Sequence, residues 1–199
     1  MIIAMAPKTP RQLIVVLGDQ LDRRSAAFDG ADPALDIVWM AEVSHESTRV
    51  PSSRARTVMF LSAMRHFRDA LHAEGWQVEY HTLAEGCERL EETLSQTLAR
   101  SSPQRVVMVE AGEWGLRELL RGAVVATGIV FEEREDRHFL CSTAMFREHA
   151  RGRKQLRMDF FYHEMRRRHG ILLDAKGGPE GGEWNYDAEN RKSFGKAGP

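Results

Sequence analysis

The chain reads as a series of apolar runs, each cut off by polar residues. In the clearest, Leu13 to Leu17 is apolar at every position, stops at Gly18 and hands over to Asp19, Gln20 and Leu21. A run with no alternation is buried on both faces, as in a parallel sheet with helices on both sides. A second run, IVWMA over 37–41, ends in Glu42 and Val43, with Glu46 close behind. Residues 76–83 alternate and then stop, RVVMV over 105–109 repeats the buried pattern, and 128–132 completes the series. The stretches between them carry helical spacing. Over 54–74, Val58, Leu61, Met64, Phe67 and Leu71 recur every three or four residues, with Ser52 or Ser53 as the start signal and Gly75 as the stop. Leu90, Leu94 and Leu98 predict a helix over 87–100, and a further helix is expected to end near residue 126. Loops are short except 22–36, whose Asp, Gly and Pro predict irregular chain with one helical turn.

Strand and helix in alternation predict an α/β fold over 12–134: a doubly wound, mainly parallel five-stranded sheet with right-handed crossovers. Residues 1–11 carry no such pattern and are expected to be a disordered leader. Beyond 134 the periodicity weakens and basic residues gather. Residues 135–175 are therefore a basic helical extension, with a helix over 156–168 in which Phe160, Phe161 and Tyr162 stand side by side. Three consecutive aromatics span more than half a helix circumference, so at least one must meet another surface. Residues 176–199, rich in glycine and charge, read as a linker to something further.

Composition excludes several classes. A net charge of −1 gives no global field for nucleic acid or an acidic membrane. The leader lacks the charge and apolar core of a signal peptide, and no apolar run reaches membrane-spanning length. Cys87 and Cys141 form neither a metal spacing nor a disulfide framework, which fits a cytoplasmic protein.

In a parallel sheet the strand ends share one edge, where ligands of open α/β folds bind. Here that edge collects Asp19 and Gln20, Glu42 and Glu46, Glu110 and Glu113, and Glu132 and Glu133. An acidic mouth without GxGxxG or a phosphate loop repels phosphate and suits a hydrogen-bond donor, such as a polyol or the N–H edge of a heteroaromatic ring. The competing reading makes these carboxylates solvated or helix-capping groups, and GDQL an ordinary tight turn. His45, His66, His81, His138, His149 and His163 share no metal-ligand spacing, so neither a metal site nor a catalytic residue is expected.

Several stretches, in order, resemble one family. LGDQL (17–21), AEV (41–43), FLSAMRHF (60–67), GEWGLR (112–117), DRHFLCS (136–142), GRKQLRMDFFYHEMRRRHGIL (152–172) and GGEWNYDAENR (181–191) are similar to the N-terminal antenna domain of the bacterial photolyase-related proteins, the iron–sulfur bacterial cryptochromes and (6-4) photolyases. The resemblance implies a Rossmann-like domain holding a 6,7-dimethyl-8-ribityllumazine antenna at the ends of its first two strands. Carried onto this sequence, the site is Gly18, Asp19, Gln20, Leu21, Glu42, Val43 and Glu46. Ala41 stands where the family pattern often has cysteine, a change that a backbone contact survives. The resemblance also implies a helical FAD-binding partner domain with a four-cysteine [4Fe–4S] cluster, and damaged DNA as the partner of the complete enzyme. This chain has two cysteines and no visible FAD cradle, so FAD and the cluster belong to the missing C-terminal part, and the chain is not expected to repair DNA alone. The basic segment has three readings: a docking surface for that domain, a DNA-backbone contact, or a solvated helix face. The alternative for the whole chain is a stand-alone nucleotide-binding or oligomerising α/β module.

Overall fold

The computed structural model describes residues 9–186. Five strands, β1 (Gln12–Val15), β2 (Ile37–Ala41), β3 (Gln77–His81), β4 (Arg105–Val109) and β5 (Val130–Arg134), form an all-parallel sheet in the order β3-β2-β1-β4-β5. The order reverses at β1, which pairs β2 on one side and β4 on the other. Side chains of β1 and of the two residues after it alternate between two cores. Leu13, Val15 and Leu17 pack with Trp39, Met108, Leu94 and Leu120 on one face, and Ile14 and Val16 pack with Val38, Met40, Met64 and Leu71 on the other. Both faces are therefore covered, which is why the run shows no alternation in sequence.

Helix α1 (His45–Thr48) is a single turn after β2, and α2 (Arg54–Ala73) links β2 to β3. Helices α3 (Leu90–Ser101) and α4 (Trp114–Val125) pack together on the opposite core. The Ser53 side chain accepts the Arg56 N–H at the start of α2, and Gly75 turns the chain out of it at φ 89°. The long β1–β2 connection contributes a 3₁₀ turn, Ala26–Phe28, whose Ala26 and Ala27 are buried with Val109 in the α2-side core. Among the described residues it joins α2 in covering that face of the sheet. Residues Pro10 and Arg11, expected in a disordered leader, already belong to the fold: Pro10 is buried, and Arg11 bonds Asp36 and the Leu35 carbonyl. Residues 1–8 lie outside the described residues.

The chain divides into two compact units between His138 and Phe139, a few residues past the expected boundary at 134. The second unit carries α5 (Thr143–Ala150) and α6 (Met158–His169). The three adjacent aromatics separate as the helix circumference requires. Phe161 packs against Phe146 and His149, whereas Phe160 and Tyr162 are exposed. His149 is buried, its Nδ1 2.6 Å from Glu164 Oε2. The expected linker is structured as far as 186, for the Trp184 ring lies against Arg166, Arg167 and His163. Residues 187–199 lie outside the described residues.

Candidate functional site at the ends of β1 and β2

Because β1 and β2 pair directly, the segments after Leu17 and after Ala41 leave the sheet side by side. Gly18 is closely packed here. A methyl group at this position would lie 2.5 Å from Phe60 Cε1 and 2.9 Å from Met64 Sδ, so α2 presses on the turn. The Phe60 ring above it stays 38% exposed. Asp19 is exposed, and Leu21 is partly buried against the α2-side core. Gln20 donates its side-chain N–H to the Glu110 carbonyl at 2.9 Å, tying the loop after β1 to the loop after β4 across the point where strand order reverses. Val43 is buried in the opposite core, and Glu46 is exposed on α1.

Glu42 departs from expectation. Its side chain is fully buried, not an acceptor open to a ligand. Oε1 accepts from Arg65 Nε at 2.6 Å and from the Tyr80 hydroxyl at 2.7 Å; Oε2 accepts from Arg65 Nη2 at 2.8 Å and the Leu83 N–H at 3.1 Å. Burial pushes this carboxyl up, but Arg65, Tyr80 and the Leu83 N–H outweigh burial and hold it at about 2. Burial and then Glu42 raise the Tyr80 hydroxyl above its ordinary range. Glu42 thus fixes α2, β3 and the 3₁₀ turn Leu83–Glu85 around one charge, and the half-exposed Arg65 guanidinium is what reaches solvent there.

The acidic edge is corrected in the same way. Glu110 and Glu133 share Arg117, Glu133 also takes Arg121, and Glu113 meets Arg49 at 2.5 Å. Glu132 pairs with Arg105 and Arg134. Moreover β5 runs on to Arg134, so Glu132 and Glu133 lie within the strand, opposite Val107 and Met108, and not beyond its end. Arginines returning from the helices and the neighbouring strands neutralise most of the rim. Gln20 and Glu42 are engaged by separate partners, and Asp19 and Glu46 are exposed carboxylates.

One constellation was not anticipated. His81, Glu85 and Cys87 bring a ring nitrogen, a carboxylate oxygen and a sulfur within 4.8 Å of one another. The histidine ends β3, the glutamate sits in the following 3₁₀ turn, and Gly86 at φ 78° reverses the chain so that Cys87 comes back toward them.

A parallel sheet ordered 3-2-1-4-5 with both faces covered defines a Rossmann-like α/β domain, a class whose ligands bind beyond the carboxyl ends of the strands. A family model described as deoxyribodipyrimidine photo-lyase-related protein matches residues 14–199. The chain belongs to that family. Over 183 residues it is 39% identical to a (6-4) photolyase of Agrobacterium fabrum (strain C58 / ATCC 33970), a match that covers 91% of this chain and 36% of that protein. The chain therefore spans little more than a third of that relative's length. Among the described residues no helix is long and apolar enough to cross a membrane.

Proposed function

We propose that this chain is the antenna-binding half of a light-driven DNA repair lyase or photoreceptor, holding 6,7-dimethyl-8-ribityllumazine at the ends of β1 and β2. The supporting observation is the chemistry gathered at those adjacent ends. The exposed Asp19 and Glu46 carboxylates are acceptors for ribityl hydroxyls, the half-exposed Arg65 guanidinium is a donor, and the Phe60 ring above Gly18 offers a flat apolar face. In this reading Glu42 acts by holding Arg65 in place, Gln20 by fixing the loop that carries Asp19, and Leu21 and Val43 by anchoring that loop and α1. When bound, the pigment absorbs near-ultraviolet or blue light and passes the excitation on.

The residues of this chain do not fit a four-cysteine cluster, since the sequence holds two cysteines, Cys87 and Cys141, in different units. FAD and the [4Fe–4S] cluster are assigned to a helical partner domain, and damaged DNA to the complete enzyme. The exposed Phe146, Leu156, Met158, Phe160 and Tyr162 supply apolar area for docking such a domain. Two free thiols fit a cytoplasmic location.

The test is retention of pigment. Mixed with the lumazine and passed through gel filtration, the chain is expected to elute coloured, and a colourless protein overturns the reading. A nucleotide-binding module remains the second reading, favoured by one finding: the arginine pairing removes much of the charge objection to phosphate. It predicts thermal stabilisation by AMP or ATP and none by lumazine.

A further inference from the structure

The His81 ring stands between two carboxylates and a hydroxyl whose proton is already engaged. Its Nε2 lies 3.1 Å from Glu79 Oε1 and 3.2 Å from Thr97 Oγ1. The Thr97 hydroxyl spends its own proton on Glu79 Oε1 at 2.8 Å, so the hydrogen on the ring side must be that of Nε2. On the other side Nδ1 faces Glu85 Oε2 at 3.0 Å. The second Glu85 oxygen already accepts the Thr82 N–H and hydroxyl, each at 3.0 Å. A neutral ring with its hydrogen on Nε2 therefore presents a lone pair to a carboxylate oxygen. That contact is attractive only when a positive charge sits in it, either a second ring proton or a metal ion.

Cys87 distinguishes the two. A proton shared between imidazole and carboxylate has no use for a sulfur, yet the thiol completes a group whose ligand atoms all lie within 4.8 Å of one another. Nitrogen, oxygen and sulfur together are a zinc donor set. The Glu79 carboxylate behind Nε2–H is the outer partner that orients a ligating imidazole and raises its basicity.

We propose that His81 Nδ1, the Glu85 carboxylate and Cys87 Sγ bind one zinc-class divalent cation, with the fourth position left to water or an external ligand. Binding takes Cys87 as the thiolate and releases its proton. The loop so closed is joined to the segment after β2, since the Ser44 and His45 N–H groups donate to the Cys87 and Glu88 carbonyls at 3.1 Å each. The ion thus fastens this loop beside the rim formed by Val43 and Glu46. The inference stands whether or not a pigment binds there.

The probe is cobalt(II) added to the metal-free full chain. The expected result is a one-to-one titration that gives tetrahedral visible bands and a thiolate-to-cobalt charge-transfer band, both abolished by excess zinc. Cys87→Ser should lose the charge-transfer band, Cys141→Ser should keep it, and Glu79→Gln should weaken binding about tenfold. Far-ultraviolet dichroism checks that each variant folds, and His81→Gln supplies the same test should Cys87→Ser not fold. The proposal is overturned if the unmodified chain gives no cobalt bands, or if charge transfer survives Cys87→Ser or vanishes in Cys141→Ser.

Discussion

The two units of this chain differ in what they bury. In the first, every residue of β1 and β2 is buried, and the sheet has a core on each face. In the second, the two buried side chains among the described residues are His149 and Arg166, while Phe160, Tyr162, Leu156 and Met158 are exposed. The first unit builds two apolar cores, with Val58, Met59, Trp114, Val125 and Val130 still exposed on its surface. The second is organised by contacts around His149 and Arg166 and leaves Phe160 and Tyr162 about half exposed.

The sharpest way to break this contrast is to remove the charge at the centre of the first unit. Glu42→Ala leaves Arg65, Tyr80 and the Leu83 N–H without their acceptor; because Arg65 keeps water, the expected loss is about 3 kcal/mol in urea unfolding, at the low end for a broken buried pair. Glu164→Ala in the second unit, whose carboxylate is partly exposed, should cost far less. Next comes pH. The Glu42 carboxyl is held at about 2 against an ordinary 4.5, so its contribution to stability is complete above the ordinary value and is lost as pH falls toward 2. Acid unfolding of the unmodified chain should steepen across that window, and Glu42→Gln should lack this limb.

A smaller effect is expected at Gly18. Gly18→Ala places a methyl group against Phe60 and Met64, at a cost of about 1–3 kcal/mol, and Phe60→Ala in the same chain should recover most of it. An unchanged melting temperature in Gly18→Ala would mean that the turn is not held by α2. Smallest of all, Phe160→Ser combined with Tyr162→Ser should shift stability by no more than about 1 kcal/mol, most of it the lost contact between Arg166 and the Tyr162 ring, while reducing self-association in sedimentation. A large loss of stability would place those rings in a core.

The legibility of the sequence divides along the same line. Strands β1, β2 and β4 were readable because double-sided burial writes an unbroken apolar run, and α2 because twenty residues display several helical turns. Helix α1, with four residues, and α5, with eight, are too short for a period to show. The charge at the strand ends was misread for a different reason. Carboxylates near a strand end announce themselves, but the arginines that neutralise them come from elsewhere: Arg65 from the middle of α2, Arg117 from α4. Both lie inside the stretches FLSAMRHF and GEWGLR that carried the family resemblance. His81, Glu85 and Cys87 escaped notice because their spacing fits no regular element; the reversal at Gly86 brings them together.

The central claim is that the adjoining ends of β1 and β2 hold a ribityllumazine, and fluorescence anisotropy of that compound titrated with the full chain tests it most directly. The account predicts a saturable one-to-one rise that is lost or much weakened when Asp19→Asn and Glu46→Gln are combined. No rise, or an equal rise with the doubly substituted chain, would contradict it.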